Sequence, residues 1–297
     1  KLDTWSTSRV MDFWTIRYVS SLQDLVVEHS PQQNTDPELI ALVGGVQFDA
    51  IGSPRTKTSR YFRGNNVFKP LPGSFKEVKE IGKLFVKYKG IPLLLSGQNA
   101  TEERFYDLID QGPSILHLAS HGFFYENESK QTISLSADDV SFRSKYELKL
   151  AQVKDPLLRS GIALAGINRI WQGASEIEGL ENGILTALEV ANLDLFYTKL
   201  VVLSACETGK GDIDNNEGIL GLKRAFKSAG AQQLLLSLWK VPDEQTQLLM
   251  LYFYEAYLNK KSAYQALEIA QTRLRKIYSN PYYWAAFQLN ESVFYTH

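Results

Sequence analysis

Two rhythms of hydrophobic and polar positions alternate along the chain. Short apolar runs are separated by longer stretches in which an apolar residue returns every three or four positions. ELIALVGG at 38–45 predicts a strand ending in glycines. SFKEVKEIGKLFVKY at 74–88 predicts a helix, because Phe75, Val78, Ile81, Leu84, Phe85 and Tyr88 share one face with lysines and glutamates between them. IPLLLSG follows as a strand. Asn99, with Glu102 three positions on, signals the start of a helix carrying Phe105, Leu108 and Ile109. SILHLAS at 114–120 and GIALAG at 161–166 predict two more strands. Thr186 and Glu189 form a capping box that opens a short helix through Val190. KLVVLSA at 199–205 is apolar almost throughout, as a strand buried on both faces must be.

NEGILGLKRAFKSAGA then reads as a helix closed by Gly230, QQLLLSLW as a strand, and 243–259 and 262–278 as helices, the second opened by Ser262 with Gln265. YYWAAFQL predicts the last strand of the sheet, and WTIRYVSSLQDLVVE an extra strand and helix outside the main wind. Alternating strands and helices of these lengths specify an α/β sandwich with a mostly parallel sheet. One segment departs from the rhythm. Residues 125–156 are polar, with alternation only in TISLS and YELKL, and predict an insertion, either a lid or a linker. No internal repeat or interdomain linker divides the chain, so 1–297 reads as a single domain.

Composition changes this picture little. Apolar residues make up 44% and charged residues 22% of 297, enough for a substantial core. A net charge of −1 gives no reason to expect direct nucleic-acid binding or an acidic membrane surface as partner. No run approaches the roughly 18 apolar residues of a membrane span. The single cysteine rules out an intrachain disulfide and any multi-cysteine zinc site, and fits a reducing, cytoplasmic setting. The chain opens at Lys1 without a signal-peptide pattern or an initiator Met, which predicts that it is part of something longer.

The chemistry concentrates where two apolar runs end. ILHLASHGFF places His121 and Gly122 just past one strand, and LVVLSACETGKG places Cys206 just past another. In open α/β sheets, working groups gather outside the carboxyl ends of the strands. If these two strands are neighbours, an imidazole and a thiol come within reach, the pairing a thiolate nucleophile needs. Gly122, without a Cβ, can adopt a turn that presents its own N–H to an oxyanion. Alternative chemistries lack their residues. CETGKG has the Gly-Lys of a phosphate loop, but Ser204 stands at the first glycine position and Gly211 follows Lys210. His29, His117, His121 and His297 lack metal-ligand spacing. His117, in phase with Ala119 and His121 along one strand face, reads as a core histidine hydrogen-bonded to backbone.

ILHLASHGFF, PLLRSGIALAGIN, LTALEVANLDL, KLVVLSACETGKG, EGILGLKRAFKSAGAQQLLLSLWKVPDEQT and NPYYWAAFQLN, in that order, resemble a CHAT domain from about Val10 to about Glu291. Such domains are caspase-like bacterial modules related to separase, commonly found behind tetratricopeptide repeats. The resemblance implies a caspase-like three-layer α/β/α sandwich with a mostly parallel central sheet, and His121 and Cys206 as a catalytic dyad. It also implies cleavage of a protein substrate through a thioester acyl-enzyme, with no metal or cofactor, the N–H groups of Gly122 and Cys206 forming the oxyanion hole. An N-terminal tetratricopeptide-repeat region is the implied regulator, and low basal activity follows for the domain alone. The family usually has a shorter link between the His strand and RSGIALAG than 125–156 provides.

Asp243 in WKVPDEQT aligns with an acidic residue that in separase resembles the floor of an arginine pocket. A carboxylate there favours a basic residue just before the cut; the other reading of Asp243, after Pro242 and before a helix, is an N-cap. Asp49 and Glu207 are weaker candidates near strand ends. Asn168, Arg169 and Trp171 either line the substrate groove or pack. Beside the peptidase stand a catalytically silent caspase-like scaffold or signalling module that binds protein partners and, resting only on Gly209-Lys210, a nucleotide-handling enzyme.

Overall fold

The computed structural model describes residues 18–19, 38–49, 67–124, 153–171, 182–204 and 216–291. Its strands are β1 (Tyr18–Val19), β2 (Leu39–Val46), β3 (Ile91–Gly97), β4 (Ile115–Ala119), β5 (Gly122–Phe124), β6 (Ser160–Ala163), β7 (Ile184–Thr186), β8 (Leu200–Leu203), β9 (Gln233–Ser237) and β10 (Phe287–Glu291). Its helices are α1 (Pro72–Lys87), α2 (Glu102–Asp110), α3 (Ile167–Trp171), α4 (Ala187–Ala191), α5 (Asn216–Ser228), α6 (Asp243–Leu258) and α7 (Ala263–Ile277).

The main sheet has seven strands in the order β1-β10-β9-β8-β4-β2-β3. Pairing is parallel throughout except between β10 and β9. The near-continuous apolar runs are explained by the two faces they serve. Ile40, Leu42, Ile115, Leu200, Val202 and Leu235 point into a core closed by α1, α6 and α7. Their alternates Ala41, Val43, Leu116, Leu118, Val201, Leu203, Leu234 and Leu236 point into the other, which α2, α3, α4 and α5 help close. Three layers result, helices on each side of a mostly parallel sheet.

Local signals placed most elements. On α1 the stripe Val78, Ile81 and Phe85 is fully buried, while Phe75, expected on that face, is 44% exposed at the helix start. The capping boxes Thr186–Glu189 and Ser262–Gln265 are both made. Gly230 ends the turn after α5 at φ +106°, where an added Cβ would lie 2.8 Å from Phe196 N, so only glycine fits.

Three expectations need correction, and one expected strand falls in a second sheet. Thr101, not Asn99, caps α2, its hydroxyl accepting the Arg104 N–H. GIALAG contributes a strand as expected, and that strand, β6, is the middle one of a second, antiparallel sheet, β5-β6-β7. YYWAAFQL becomes a strand only at Phe287, because Pro281–Tyr283 forms a 3-10 turn under the Asn280 cap. The N-terminal strand is the outermost strand of the main sheet itself, parallel to β10; its expected helix lies outside the described residues. So does most of the 125–156 insertion, residues 125–152. Among the described residues, no helix is long and apolar enough to cross a membrane.

Candidate functional site

β4 and β8 are neighbours and parallel, with Ile115 opposite Leu200 and Leu118 opposite Leu203. Both therefore end on the same edge of the sheet, and the Ser204 N–H donates to the Leu118 carbonyl at 3.0 Å to hold those ends together. His121 follows the end of β4 by two residues. Cys206 follows Ser204 by two and lies outside the described residues, as does Glu207.

His121 is held from several sides. The Ser120 hydroxyl donates to the Ala163 carbonyl at 2.6 Å, and the Ala163 N–H donates back to the His121 carbonyl at 2.8 Å, pinning the backbone to β6. The ring packs against Phe48 and Phe68 at centroid distances of 5.0 and 5.5 Å and is 2% exposed. Its Nε2 lies 2.8 Å from the Lys69 carbonyl oxygen. A carbonyl only accepts, so Nε2 carries the hydrogen and Nδ1 is the ring's basic nitrogen. The Lys69 carbonyl carried no sequence signal, since every residue has one.

The segment bearing Lys69 is fixed in turn by Asn168. Phe68 N–H donates to Asn168 Oδ1 at 2.9 Å, and Asn168 Nδ2 donates to the Phe68 carbonyl at 3.0 Å and to Asp49 Oδ1 at 2.9 Å. Trp171 packs edge-on against Phe68 at 4.9 Å and is 2% exposed. Asn168 and Trp171 are thus buried supports of the His121 environment, not groove lining, and Asp49 is their anchor.

His117 differs from its expected role in two ways. It faces the core under α1 and α6 with Ile115 and Ala119, whereas His121, beyond the strand end, packs with rings on the opposite side. Its partners are side chains instead of backbone: Nε2 is 2.8 Å from Glu77 Oε1 and Nδ1 is 3.1 Å from the Tyr254 hydroxyl. All three residues are buried. Burial, and then the Glu77 charge, pushes the Tyr254 phenol well up, which keeps its hydroxyl a donor. Glu77 falls on the i, i+4 stripe with Ile81 and Phe85, so its place on a buried face was legible in the helical period.

Glu77 also lines a cavity of about 70 Å³ at the carboxyl edge of the sheet, walled by Leu71, Ser74, Ser204, Ser237, Trp239, Lys240, Val241, Asp243 and Thr246. Asp243 is one of the wall residues, and it is not the N-cap of α6. Pro242 occupies that position, and Asp243 opens α6 with its Oδ2 accepting the Gly73 N–H at 3.1 Å. The approach requires glycine at 73, because a Cβ would stand 2.4 Å from Asp243 Cβ. Ser204 Oγ, in the same wall, is buried and has no hydrogen-bond partner among the described residues.

Gly122 does not supply a special turn. It begins β5 outside the left-handed region, and a Cβ there would make only ordinary contacts at 3.8 and 3.9 Å. Among the described residues, no group of three or more His, Cys, Asp or Glu is placed to hold a metal ion.

Residues 10–291 match the family model described as the CHAT domain. Among curated proteins the chain is similar to tetratricopeptide repeat protein 28 of Homo sapiens, 29% identical over 241 residues, which cover 80% of this chain and 9% of that protein. The Mus musculus protein of the same name is 27% identical over 249 residues, again 80% and 9%. The chain therefore spans about a tenth of the length of these relatives. Among solved structures, the Arg-specific cysteine proteinase gingipain R aligns at TM-score 0.47 and 10% identity, over 86% of this chain and 46% of that one.

Proposed function

The chain belongs to the CHAT domain family, and from that premise we propose that it is a cysteine endopeptidase with His121 and Cys206 as its dyad. The observation that carries the proposal is the pairing of β4 with β8, which brings the strand ends before the two residues to one edge, beside a cavity. In this reading the Cys206 thiolate attacks the scissile carbonyl carbon, forming a C–S bond. The N–H groups of Gly122 and Cys206 hold the oxyanion. Collapse breaks the C–N bond as His121 gives its Nδ1 proton to the leaving amine, and water then hydrolyses the thioester while His121 takes the proton back. The Lys69 carbonyl at Nε2 orients the ring for both transfers.

The residue before the cut enters the cavity that Asp243 lines, and a basic side chain matches its acids. The substrate is a protein, and a tetratricopeptide-repeat region supplies regulation; the repeats in the names of the human and mouse relatives support that arrangement. The 2% exposure of His121 favours a second reading, a partner-binding module that keeps the fold without turnover.

A peptide library varied before the scissile bond, assayed with wild-type protein and Cys206→Ala, each with and without an attached repeat region, separates the two. Cleavage lost in Cys206→Ala supports the peptidase. Silence in every arm, with Cys206 no more reactive toward iodoacetamide than a model thiol, leaves the binding module.

A further inference from the structure

Two carboxylates line the cavity, with Lys240 also in its wall, and the two acids differ in burial and in partners. Asp243 is exposed and its Oδ2 is already engaged by the Gly73 N–H. Glu77 is 3% exposed and sits at the inner end of a hydrogen-bonded chain, Tyr254 to His117 to Glu77. His117 Nε2 lies 2.8 Å from Glu77 Oε1 and Nδ1 lies 3.1 Å from the Tyr254 hydroxyl, so the buried carboxyl group is held in one place at the cavity wall. A charge so shielded from water acts on a ligand several-fold more strongly than one at the rim, where solvent and salt screen it.

The other polar groups in the wall are mostly committed. Ser74 Oγ donates to the Leu71 carbonyl and accepts from the Gly45 N–H. Ser237 Oγ donates to the Trp239 carbonyl. Ser204 Oγ is not: it is buried, it lines the cavity, and nothing among the described residues bonds to it. A buried hydroxyl left without a partner is destabilising, and this one can accept from a donor that enters the cavity.

We propose that Glu77, more than Asp243, selects the side chain that enters this cavity, that the side chain is basic, and that Ser204 Oγ accepts one of its N–H groups. At about 70 Å³ the space holds a guanidinium or ammonium head, with the stem leading out past Asp243 at the mouth. The identity of the ligand as a substrate residue rests on the peptidase reading; the charge preference of the cavity does not.

The test is calorimetric titration of the full chain with the Nα-acetyl methylamides of arginine, lysine and citrulline, the last a neutral isostere of arginine. Wild-type protein is expected to bind the arginine and lysine compounds at least tenfold tighter than the citrulline one. Glu77→Gln erases that preference, while Asp243→Asn narrows it two- to threefold. Ser204→Ala leaves the Glu77–His117–Tyr254 chain intact and weakens the arginine compound two- to fivefold, so it decides the matter if Glu77→Gln fails to fold. Equal or absent binding of all three compounds to the wild type overturns the proposal. A Glu77→Gln preference within twofold of wild type, a larger loss in Asp243→Asn, or unchanged binding in Ser204→Ala does so too. No turnover is needed. A silent peptide library with the preference intact would sink the peptidase and leave the cavity assigned; cleavage after arginine that is indifferent to Glu77→Gln would sink this proposal alone.

Discussion

Asn168 and Phe68 are joined twice, by the Phe68 N–H on Asn168 Oδ1 at 2.9 Å and by Asn168 Nδ2 on the Phe68 carbonyl at 3.0 Å. The side chain thus imitates a strand partner for a stretch of backbone whose next carbonyl, that of Lys69, receives His121 Nε2. Asn168→Ala removes both bonds and the one to Asp49 at a buried site. It is expected to lower unfolding free energy by about 2–3 kcal/mol, seen as a lower urea midpoint at unchanged slope. If the dyad is active, kcat should fall more than KM rises, because the imidazole loses orientation and the cavity is untouched.

The contact between the starts of α1 and α6 gives a steric prediction. Gly73→Ala would put a Cβ 2.4 Å from Asp243 Cβ, against a carbon that cannot swing away. Separation of the two helix starts should lose the Gly73–Asp243 hydrogen bond and cost roughly 1–3 kcal/mol. Thermal unfolding of the variant would show it; an unchanged midpoint would mean the helices part freely.

Thr186 ends β7 and caps α4, accepting the Glu189 N–H while Glu189 Oε2 accepts both the Thr186 N–H and its hydroxyl at 2.7 Å. Thr186→Ala is expected to destabilise by about 1 kcal/mol. Thr186→Ser, which keeps the oxygen, should recover most of that in the same denaturation series.

Glu38 supplies a pH dependence. Burial pushes its carboxyl up from 4.5, and Lys199 and Lys260 pull only part of the way back. Above 4.5, and up to the raised folded value, the folded protein holds more of this proton than the unfolded chain does. Stability through this group therefore falls as pH rises across that interval. Glu38→Gln removes the penalty, so the variant should be more stable than wild type at pH 7. The difference should vanish below pH 4.5, where both states are protonated. Urea midpoints at the two pH values check the sign.

What was legible in the sequence follows from the range of the interactions involved. Helix stripes, capping boxes and apolar strands are set by residues a few positions apart, and α1, α4, α7, β4 and β8 stand close to where their patterns put them. The misplaced cap of α2 is still local, a choice between Asn99 and Thr101 two positions apart. GIALAG formed its strand, but a four-residue apolar strand carries no mark of which sheet it joins, and its partners β5 and β7 come from before and after it in the chain. The site divides the same way. His121 and the Asp243 position were visible as residues at strand and helix ends, whereas the Lys69 carbonyl, the Asn168 clasp and the His117–Glu77 bond each join residues tens of positions apart.

The sequence by itself determined the order of most strands and helices, the family, and the two residues proposed for chemistry, because periodicity and motif order are properties of the chain. Tertiary structure alone decided that β4 lies against β8, that His117 and His121 serve opposite faces, and that Glu77 lines a cavity. The physical reason is that a carboxylate's strength and an imidazole's tautomer depend on the desolvation and hydrogen bonds around them. Those surroundings exist only once distant segments have packed.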